Sequence, residues 1–446
     1  MMDEEKQFDE DTCDMGKGAH AKRGIRGKFG KRIGLTLLAL FLVAGVFLAG
    51  WYGHYGTIDP RMRSLIWALD TMEKHYYEKP DLDGIYDDLF GALTPDDYSR
   101  YYSKSEYEEV IRAGNGENSG IGVSVLAGSG AAVLYRVVGN SPADLAGLKQ
   151  GMSVFGYGSS ADGLISGSAS DFLDFANGQT GTFFMRCGYD EESAELFTLS
   201  RAGYAATYCH YRDSAGAFAF RGKSGNDLTD VTDSYGALAG ADDKTAYIRL
   251  DAFTANAARE FQSCLALMKA RGRNNLVLDL RLNGGGYMDI LSEIASHLMR
   301  TASGRAVVAT ARYRGGKREN FVAKNCDYFD CFEGSSRIKV LADENTASAS
   351  EALIGAMLDY GTIGYGDIYL RAASGRTYGK GIMQSTYTDA KGNAMKLTVA
   401  TIHWPVSDTC IQGRGILVSD GAVAVDAGLS WEDGDTMLAF ALSNRT

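Results

Sequence analysis

Hydrophobic positions after residue 60 follow three different patterns, which divide the chain into three segments. Apolar residues recur every three or four positions in 61–75 and 82–93, which predicts two amphipathic helices. Short apolar runs in 119–202 predict strands separated by glycine-containing turns. From Thr245 onward buried-type strands alternate with helical patterns, and this alternation is typical of an α/β core with a parallel sheet.

The α/β segment is specific enough to predict individual elements. Strands are expected at 246–250, 276–280, 307–311, 338–342, 396–401 and 416–418. Helices are expected at 256–270, 290–299 and 352–359. The polar stretch 314–335 is expected to be a loop.

The N-terminal region has a different character. Residues 33–52 carry no charge, and about 20 such residues can cross a bilayer as a helix. A cluster of basic residues precedes this run: Lys17, Lys22, Arg23, Arg26, Lys28, Lys31 and Arg32. The positive-inside rule then keeps 1–32 in the cytoplasm and predicts a single-pass cell-membrane protein with its remaining chain outside. A cleaved signal peptide is the alternative, but the long apolar run favours an uncleaved anchor.

Composition narrows the class of partner. The chain has 446 residues and a formal net charge of -11, which argues against nucleic acid as a partner. Its seven cysteines fit no zinc spacing, and neither a metal nor another cofactor is expected. Cys326 and Cys331 could pair in an oxidising compartment, and free buried thiols are the equal alternative. The oligomeric state is left open, a homo-oligomer included.

Three short stretches could carry chemistry. Ser348 lies on a small-residue turn between a predicted strand and a predicted helix, where unpaired backbone N–H groups could receive an oxyanion. By itself this turn is more simply a helix cap. Lys380 lies between two glycines, a pattern that usually means a surface turn. The glycines at 284–286 follow a strand but lack the spacing of a nucleotide-binding loop.

The order of these stretches is more specific than any one of them. Asp-Leu-Arg-Leu-Asn-Gly-Gly-Gly at 279–286 is followed by Thr-Ala-Ser-Ala-Ser-Glu at 346–351 and Gly-Lys-Gly-Ile-Met-Gln at 379–384. Upstream, Gly-Ile-Gly-Val at 120–123 and Ser-Pro-Ala-Asp-Leu-Ala-Gly-Leu at 141–148 resemble a PDZ domain. Together the motifs resemble the carboxy-terminal processing (tail-specific) serine protease family over about residues 61–426.

That resemblance implies roles for individual residues. Ser348 matches the nucleophile, Lys380 the general base and Gln384 the residue that orients the lysine. The N–H groups of Gly285 and Ala349 match the oxyanion donors. Asp359 matches a further acid near the active site. A Ser–Lys dyad is an accepted variant of triad chemistry, provided that burial lowers the pKa of the lysine.

The resemblance also implies the architecture and the substrate. The expected fold is α/β, a crotonase/ClpP-like ββα spiral core with an inserted PDZ domain, an N-terminal helical region and one transmembrane helix. The expected divisions are a cytoplasmic tail at 1–32, the membrane helix at 33–52, a helical region at 57–116, the PDZ domain at 118–202 and the protease core at 203–446. N–H groups of Ile121, Gly122 and Val123 would bind the C-terminal carboxylate of a substrate protein.

One departure from the family pattern leaves a second interpretation open. Lys380 follows Ser348 by 32 positions, and the gap is usually shorter in the family. We expect the added residues to form a loop within 366–375, which would preserve the dyad. A shift in the following strand would instead leave a catalytically inactive peptide-binding scaffold. A hydrolase of a non-peptide acyl group is a third, weaker alternative.

Overall fold

A computed structural model describes residues 38, 40–50, 53, 57–127, 132–299, 306–323, 337–426 and 435–444. The chain divides into two units, Met1–Asp88 and Leu89–Thr446. The predicted Cys326–Cys331 pair and parts of the predicted membrane segment lie outside the described residues. Cys187, Cys209, Cys264 and Cys410 are free thiols.

The first unit is helical where it is described. Its helices are α1 (40–50), α2 (Pro60–His75) and the start of α3 (Leu82–Gly91). Asp59 begins α2, because its side chain accepts a hydrogen bond of 2.8 Å from the Arg61 N–H. The apolar side chains of α1 are exposed, with Phe41 at 81% and Phe47 at 69%. Across the described ranges, no helix combines the length and the apolar character that crossing a membrane requires.

The second unit contains the remaining elements. Its helices are α4 (Lys104–Gly114), α5 (Pro142–Leu145), α6 (Ala169–Gly178), α7 (Thr232–Tyr235), α8 (Ala257–Ala270), α9 (Met288–Ser296), α10 (Ala349–Asp359) and α11 (Thr436–Ser443). Its first strands are β1 (Arg100–Tyr102), β2 (Glu117–Gly120), β3 (Val123–Ala127), β4 (Ala132–Val137), β5 (Ser153–Gly158), β6 (Thr182–Gly188), β7 (Glu195–Ser200), β8 (Ala202–Ala205), β9 (Cys209–Asp213) and β10 (Gly216–Arg221). The later strands are β11 (Asp227–Asp230), β12 (Thr245–Leu250), β13 (Asn275–Asp279), β14 (Ala306–Tyr313), β15 (Arg318–Ala323), β16 (Ile338–Ala342), β17 (Ile368–Arg371), β18 (Ile382–Thr388), β19 (Ala394–His403) and β20 (Val423–Val425).

An eight-stranded sheet forms the centre of this unit, in the order β11-β10-β9-β12-β13-β16-β17-β20. Within this sheet, the neighbours β12, β13, β16, β17 and β20 pair in parallel. Strands β9, β10 and β11 extend the sheet with antiparallel pairs. Every residue of β16 is buried, which explains its mainly apolar character, and its one charged residue, Lys339, forms an ion pair of 2.7 Å with Asp367. Helix α8 buries Phe261, Leu265 and Met268 in the core cluster that this sheet shares.

A separate antiparallel sheet, β3-β4-β5-β6-β7, has its own apolar core, which includes Phe172 of α6. The ribbon β2-β8 lies at the two ends of this segment, where the chain enters and leaves it. Because β3 is at the sheet edge, one side of its backbone has no strand partner among the described residues.

A further sheet joins residues 96–102, which we call the lead-in, to the core. Strand β19 pairs with β1, β14 and β18, and β15 pairs with β14 at the edge. Residues 100–102 therefore pair with β19, and the same strand carries Thr398, which pairs with Gln384 of β18.

The main elements of the α/β prediction are confirmed, and three local predictions are wrong. The expected loop 314–335 contains β15, whose polar residues reflect an exposed edge strand. The expected strand 416–418 runs into a 3-10 turn at Val418–Asp420, and the strand is β20 instead. The expected loop 366–375 contains β17, whose short apolar run is inserted between β16 and β20.

Candidate active site

The turn between β16 and α10 places Ser348 at the N-terminal end of α10. Ser348 has φ 59° and ψ -115°, a backbone conformation that is strained for a residue with a side chain. Asp343 holds the turn, because its Oδ1 accepts hydrogen bonds from the Asn345 and Thr346 N–H groups at 2.9 and 3.1 Å. The Ser348 side chain does not cap the helix, so its hydroxyl is available to a substrate.

The glycine-rich loop after β13 packs directly against this turn. The Asn283 carbonyl oxygen accepts hydrogen bonds of 3.0 Å from the Ala347 N–H and from the Ser350 hydroxyl. Gly285 has φ 96°, and a Cβ there would lie 2.7 Å from Ser348 Cβ and 2.8 Å from Ala349 N. Only glycine fits at 285, and the close approach brings this loop beside the proposed nucleophile.

The two predicted oxyanion donors differ in their present partners. The Ala349 N–H, at the first position of α10, has no hydrogen-bond acceptor in the described part of the chain. The Gly285 N–H donates to Asn283 Oδ1 at 2.9 Å. The helix terminus therefore offers a free donor at Ala349, whereas Gly285 would have to exchange its acceptor to bind an oxyanion.

Glu351 links the turn to the Gly-Lys-Gly segment. Its Oε2 accepts hydrogen bonds of 2.9 Å from both the Ser348 N–H and the Lys380 N–H. Its Oε1 accepts from the Gly379 N–H at 2.8 Å and from the Thr377 hydroxyl at 2.6 Å. Since both hydrogen bonds end at the same oxygen, the distance between the Ser348 and Lys380 backbone nitrogens cannot exceed the sum of the two N···O distances of 2.9 Å.

This arrangement bears on the 32-residue gap. The chain between Ser348 and Lys380 includes β17 inside the sheet, and the following segment still returns to the Ser348 turn. Sequence reasoning assigned Glu351 only to helix capping. Its acidic character in the first turn of α10 was visible, but its link to Gly379 and Lys380 depends on residues distant in sequence.

Burial perturbs both ionisable groups of this cluster. Burial raises the pKa of Glu351, although hydrogen bonds from Thr377, Lys380, Gly379 and Ser348 act in the opposite direction. Burial lowers the pKa of Lys380, and the positive charge of Lys396 lowers it further, against the Glu351 charge that raises it. A lowered pKa is what a lysine needs to act as a base.

The side chains of Lys380 and Gln384 point to other partners. The Lys380 Nζ lies 5.2 Å from the ring centroid of Tyr98 and forms no hydrogen bond with Ser348. The Gln384 Nε2 donates to Thr398 Oγ1 at 3.5 Å, a long contact. The structure thus brings the Ser348 and Lys380 backbones together without a hydrogen bond between their side chains, and it places Gln384 on β18 without a bond to Lys380.

Asp359 does not belong to this site. It lies at the C-terminal end of α10, 11 residues and therefore about 16 Å of helix rise after Ser348. Its Oδ2 accepts hydrogen bonds from the Val406 and Ser407 N–H groups at 2.8 and 2.9 Å. The expectation of an active-site acid at this position is wrong, because the helix carries it away from the turn.

The predicted tail-binding residues lie at the entrance to the separate antiparallel sheet. Ile121 and Gly122 precede the edge strand β3, which begins at Val123. In the described structure, neither the Ile121 nor the Gly122 N–H has a hydrogen-bond acceptor. A Cβ on Gly122, which has φ 79°, would lie 2.2 Å from Ser141 Cβ, so the loop is packed tightly on the start of α5.

Comparisons with known proteins identify the core that carries Ser348. Residues 244–418 match the sequence model of peptidase family S41. The chain carries an S41 peptidase domain. Among the described residues, no group of three histidine, cysteine or acidic side chains is arranged to hold a metal ion.

Named relatives agree with this assignment. The chain is 27% identical over 317 residues to the carboxyl-terminal-processing protease of Picosynechococcus sp., covering 71% of this chain and 67% of the relative. It is 24% identical over 347 residues to the carboxy-terminal processing protease CtpB of Bacillus subtilis, covering 76% and 64%. The chain thus spans about two thirds of the length of these curated relatives.

A solved structure supports the fold. A Bacteroides fragilis NCTC 9343 protein assigned to the S41 proteases aligns with a TM-score of 0.51 at 15% identity, covering 84% of this chain and 96% of that one. The mixed α/β fold of S41 peptidases, the resemblance to carboxy-terminal processing proteases and the serine-type peptidase class are therefore confirmed. The roles of individual site residues stay predictions.

Proposed function

We propose that this chain is a membrane-anchored serine endopeptidase that captures the C-terminal tails of proteins and cleaves them with a Ser348–Lys380 dyad. The observation that carries the proposal is the single Glu351 oxygen that binds the backbone N–H groups of both residues. A buried carboxylate in that position keeps the two residues adjacent although they are far apart in sequence.

The proposed reaction assigns a step to each residue of the dyad. Neutral Lys380 takes the proton of the Ser348 hydroxyl as Ser348 Oγ attacks the peptide carbonyl, and the Ala349 N–H stabilises the oxyanion. Gly285 contributes a second donor once its N–H leaves Asn283 Oδ1. The lysine then protonates the leaving amine, and it accepts a proton from the water that hydrolyses the acyl-enzyme. Gln384 would orient the lysine after turning away from Thr398.

Replacing Ser348 tests its proposed role as the nucleophile. Ser348→Ala should abolish cleavage of a protein that carries an unstructured apolar C-terminal tail, measured by mass spectrometry of the products. Ser292→Ala is the matched control, because this half-buried serine of α9 donates only to the Met288 carbonyl at 2.9 Å. Turnover by Ser348→Ala equal to that of the wild type would refute the dyad. Tail binding without any Ser348 labelling by a fluorophosphonate would favour the inactive scaffold instead.

Tail recognition is proposed for residues 118–202 as a PDZ domain. Three observations support it: an exposed β3 edge, the free N–H groups of Ile121 and Gly122, and the α6 helix packed against the core of the same sheet. Amidating the tail carboxylate should raise KM. Gly122→Ala should do the same because of its contact with Ser141, whereas Gly181→Ala, which meets open space, should not.

The membrane anchor is proposed for residues 33–52. The described part of this segment is helical and exposes apolar side chains all along its length, which suits a lipid environment. The catalytic part would then lie outside the cell membrane. The test compares the full chain with a variant that lacks 33–52. Only the full chain should sediment with membranes and resist extraction by high salt, and external protease should reach the core in intact cells.

A further inference from the structure

Tyr98 contacts the proposed base directly. The Lys380 Nζ lies 5.2 Å from the Tyr98 ring centroid, within the range of about 6 Å in which a ring face attracts a cation. Among the described residues, Lys380 Nζ has neither a hydrogen bond nor an ion pair with another side chain. The aromatic face is therefore the contact that holds the charged end of Lys380.

The backbone on both sides of Tyr98 is fixed. The Tyr98 and Ser99 N–H groups donate to Asp96 Oδ1 at 3.0 and 2.7 Å. The Ser99 hydroxyl oxygen accepts a hydrogen bond of 3.2 Å from the Thr398 N–H of β19. The following residues form β1, which pairs with β19. The ring is thus held in place by the lead-in and not by Lys380 itself.

The side chains of Lys380 and Gln384 both contact residues next to Ser99, namely Tyr98 and Thr398. Thr398 accepts the Gln384 side chain and also donates its N–H to Ser99. The lysine rests on Tyr98, the residue directly before Ser99. The two residues proposed to act on the Ser348 hydroxyl are therefore turned toward the lead-in.

We propose that Tyr98 is a positioning residue that holds Lys380 as an ammonium group, away from Ser348, until the lysine loses its proton. The proposal rests on the proposed function of Lys380 as the base. A ring face attracts the cation and has little attraction for the neutral amine. When the Nζ proton passes to solvent water, the contact weakens and the side chain can turn to the Ser348 hydroxyl. In this step one N–H bond breaks and one O–H bond forms on the water that takes the proton.

Several groups around Lys380 act on the same equilibrium. Lys396 of β19 and burial favour the neutral amine, whereas Glu351 of α10 and the Tyr98 ring favour the ammonium form. Tyr378 contacts the Tyr98 hydroxyl, with the two hydroxyl oxygens 3.5 Å apart. Removing the ring face should therefore lower the pKa of Lys380, and removing only the Tyr98 hydroxyl should leave it almost unchanged.

The decisive measurement is the pKa of Lys380 itself. It is obtained from the pH dependence of acetic anhydride labelling, read by mass spectrometry on the full chain in a Ser348→Ala background. Tyr98→Leu should lower this pKa by about half a unit to one unit. Tyr98→Phe keeps the face and should match the parent. Tyr98→Met repeats the test with a second non-aromatic side chain in case the leucine variant folds poorly.

A matched control comes from the same segment. Tyr102 of β1 also carries a cation on its ring, with the Arg100 guanidinium carbon 5.1 Å from the centroid. Tyr102→Leu should leave the labelling of Lys380 unchanged. In the active chain, Tyr98→Leu should move the acidic limb of the kcat/KM profile to lower pH by the same amount, with the basic limb unchanged.

The outcomes separate the two proposals. An active wild-type chain in which both Tyr98→Leu and Tyr98→Met leave the Lys380 pKa unchanged overturns the role of Tyr98. A Tyr98→Phe shift as large as that of leucine also overturns it, because the hydroxyl and not the ring face would then be responsible. A wild-type chain that cleaves no tailed protein and labels no Ser348 overturns the proposed function, whatever the lysine titration shows.

Discussion

Replacing Glu351 with glutamine tests the link between the nucleophile and the base. The two side chains have the same shape, but one terminal atom of glutamine is a donor. Oε2 faces two backbone N–H groups, whereas Oε1 faces the Gly379 N–H and the Thr377 hydroxyl. Only the hydroxyl can reverse its role, so the amide NH2 must take the Oε1 position and leave the Gly379 N–H without its acceptor.

The structure allows the magnitude to be estimated. An unpaired buried N–H costs about 1–3 kcal/mol. The bonds to Ser348 and Lys380 also lose their charge assistance, which is about half of their strength. Burial raises the pKa of Glu351, so a neutral amide recovers part of the desolvation cost. We expect the free energy of unfolding to fall by about 1–3 kcal/mol. A displacement of about 1 Å between Ser348 and Lys380 should lower kcat/KM by about 100-fold.

The assay measures kcat/KM on a tailed protein together with urea unfolding of the same preparations. Glu293→Gln, on the exposed side of α9, is the control for the charge change and should keep both quantities at wild-type values. Our reasoning would be refuted if Glu351→Gln were folded and had the kcat/KM of the wild type, because the carboxylate would then not hold the dyad.

Three further predictions follow from the described contacts. Gly285→Ala should lower kcat/KM by more than about 100-fold, since its Cβ would lie 2.7 Å from Ser348 Cβ. Gly284→Ala is the control, because a Cβ there meets open space, and it should retain activity. Equal activities of the two variants would contradict the close approach of Gly285 to Ser348. Asp359→Ala should lower the free energy of unfolding by about 1–2 kcal/mol through loss of its bonds to Val406 and Ser407, and a matching fall in kcat of the folded variant would return this residue to the site. Burial raises the pKa of Glu260 to about 7, so its stabilising contribution is complete below pH 4.5 and is lost as the pH rises through 7. Urea unfolding of Glu260→Gln should lack that pH-dependent decrease, and parallel curves for the two proteins would count against it.

Local patterns in the sequence were sufficient for much of the fold. The buried strands β12, β13 and β16 are short apolar runs, and the apolar face of α8 repeats at helical spacing, because burial selects such residues directly. The edge strand β15 escaped prediction, since an exposed edge imposes little hydrophobic character. The short strand β17 was taken for an inserted loop for a related reason: four residues do not reveal their partners.

The chemical groups and their order are readable from the residues alone, with Gly285, Ser348 and Lys380 on turns that follow one another along the chain. How these turns meet depends on the folding of the whole core. Strand β17 pairs in parallel with β16 before the chain returns to Ser348, and Glu351 joins both turns by hydrogen bonds to backbone groups. The folding also separated Asp359 from the site and placed Tyr98 beside Lys380. Such contacts join residues far apart in the chain, and hydrophobic periodicity records only whether each residue is buried, not which distant residue it touches.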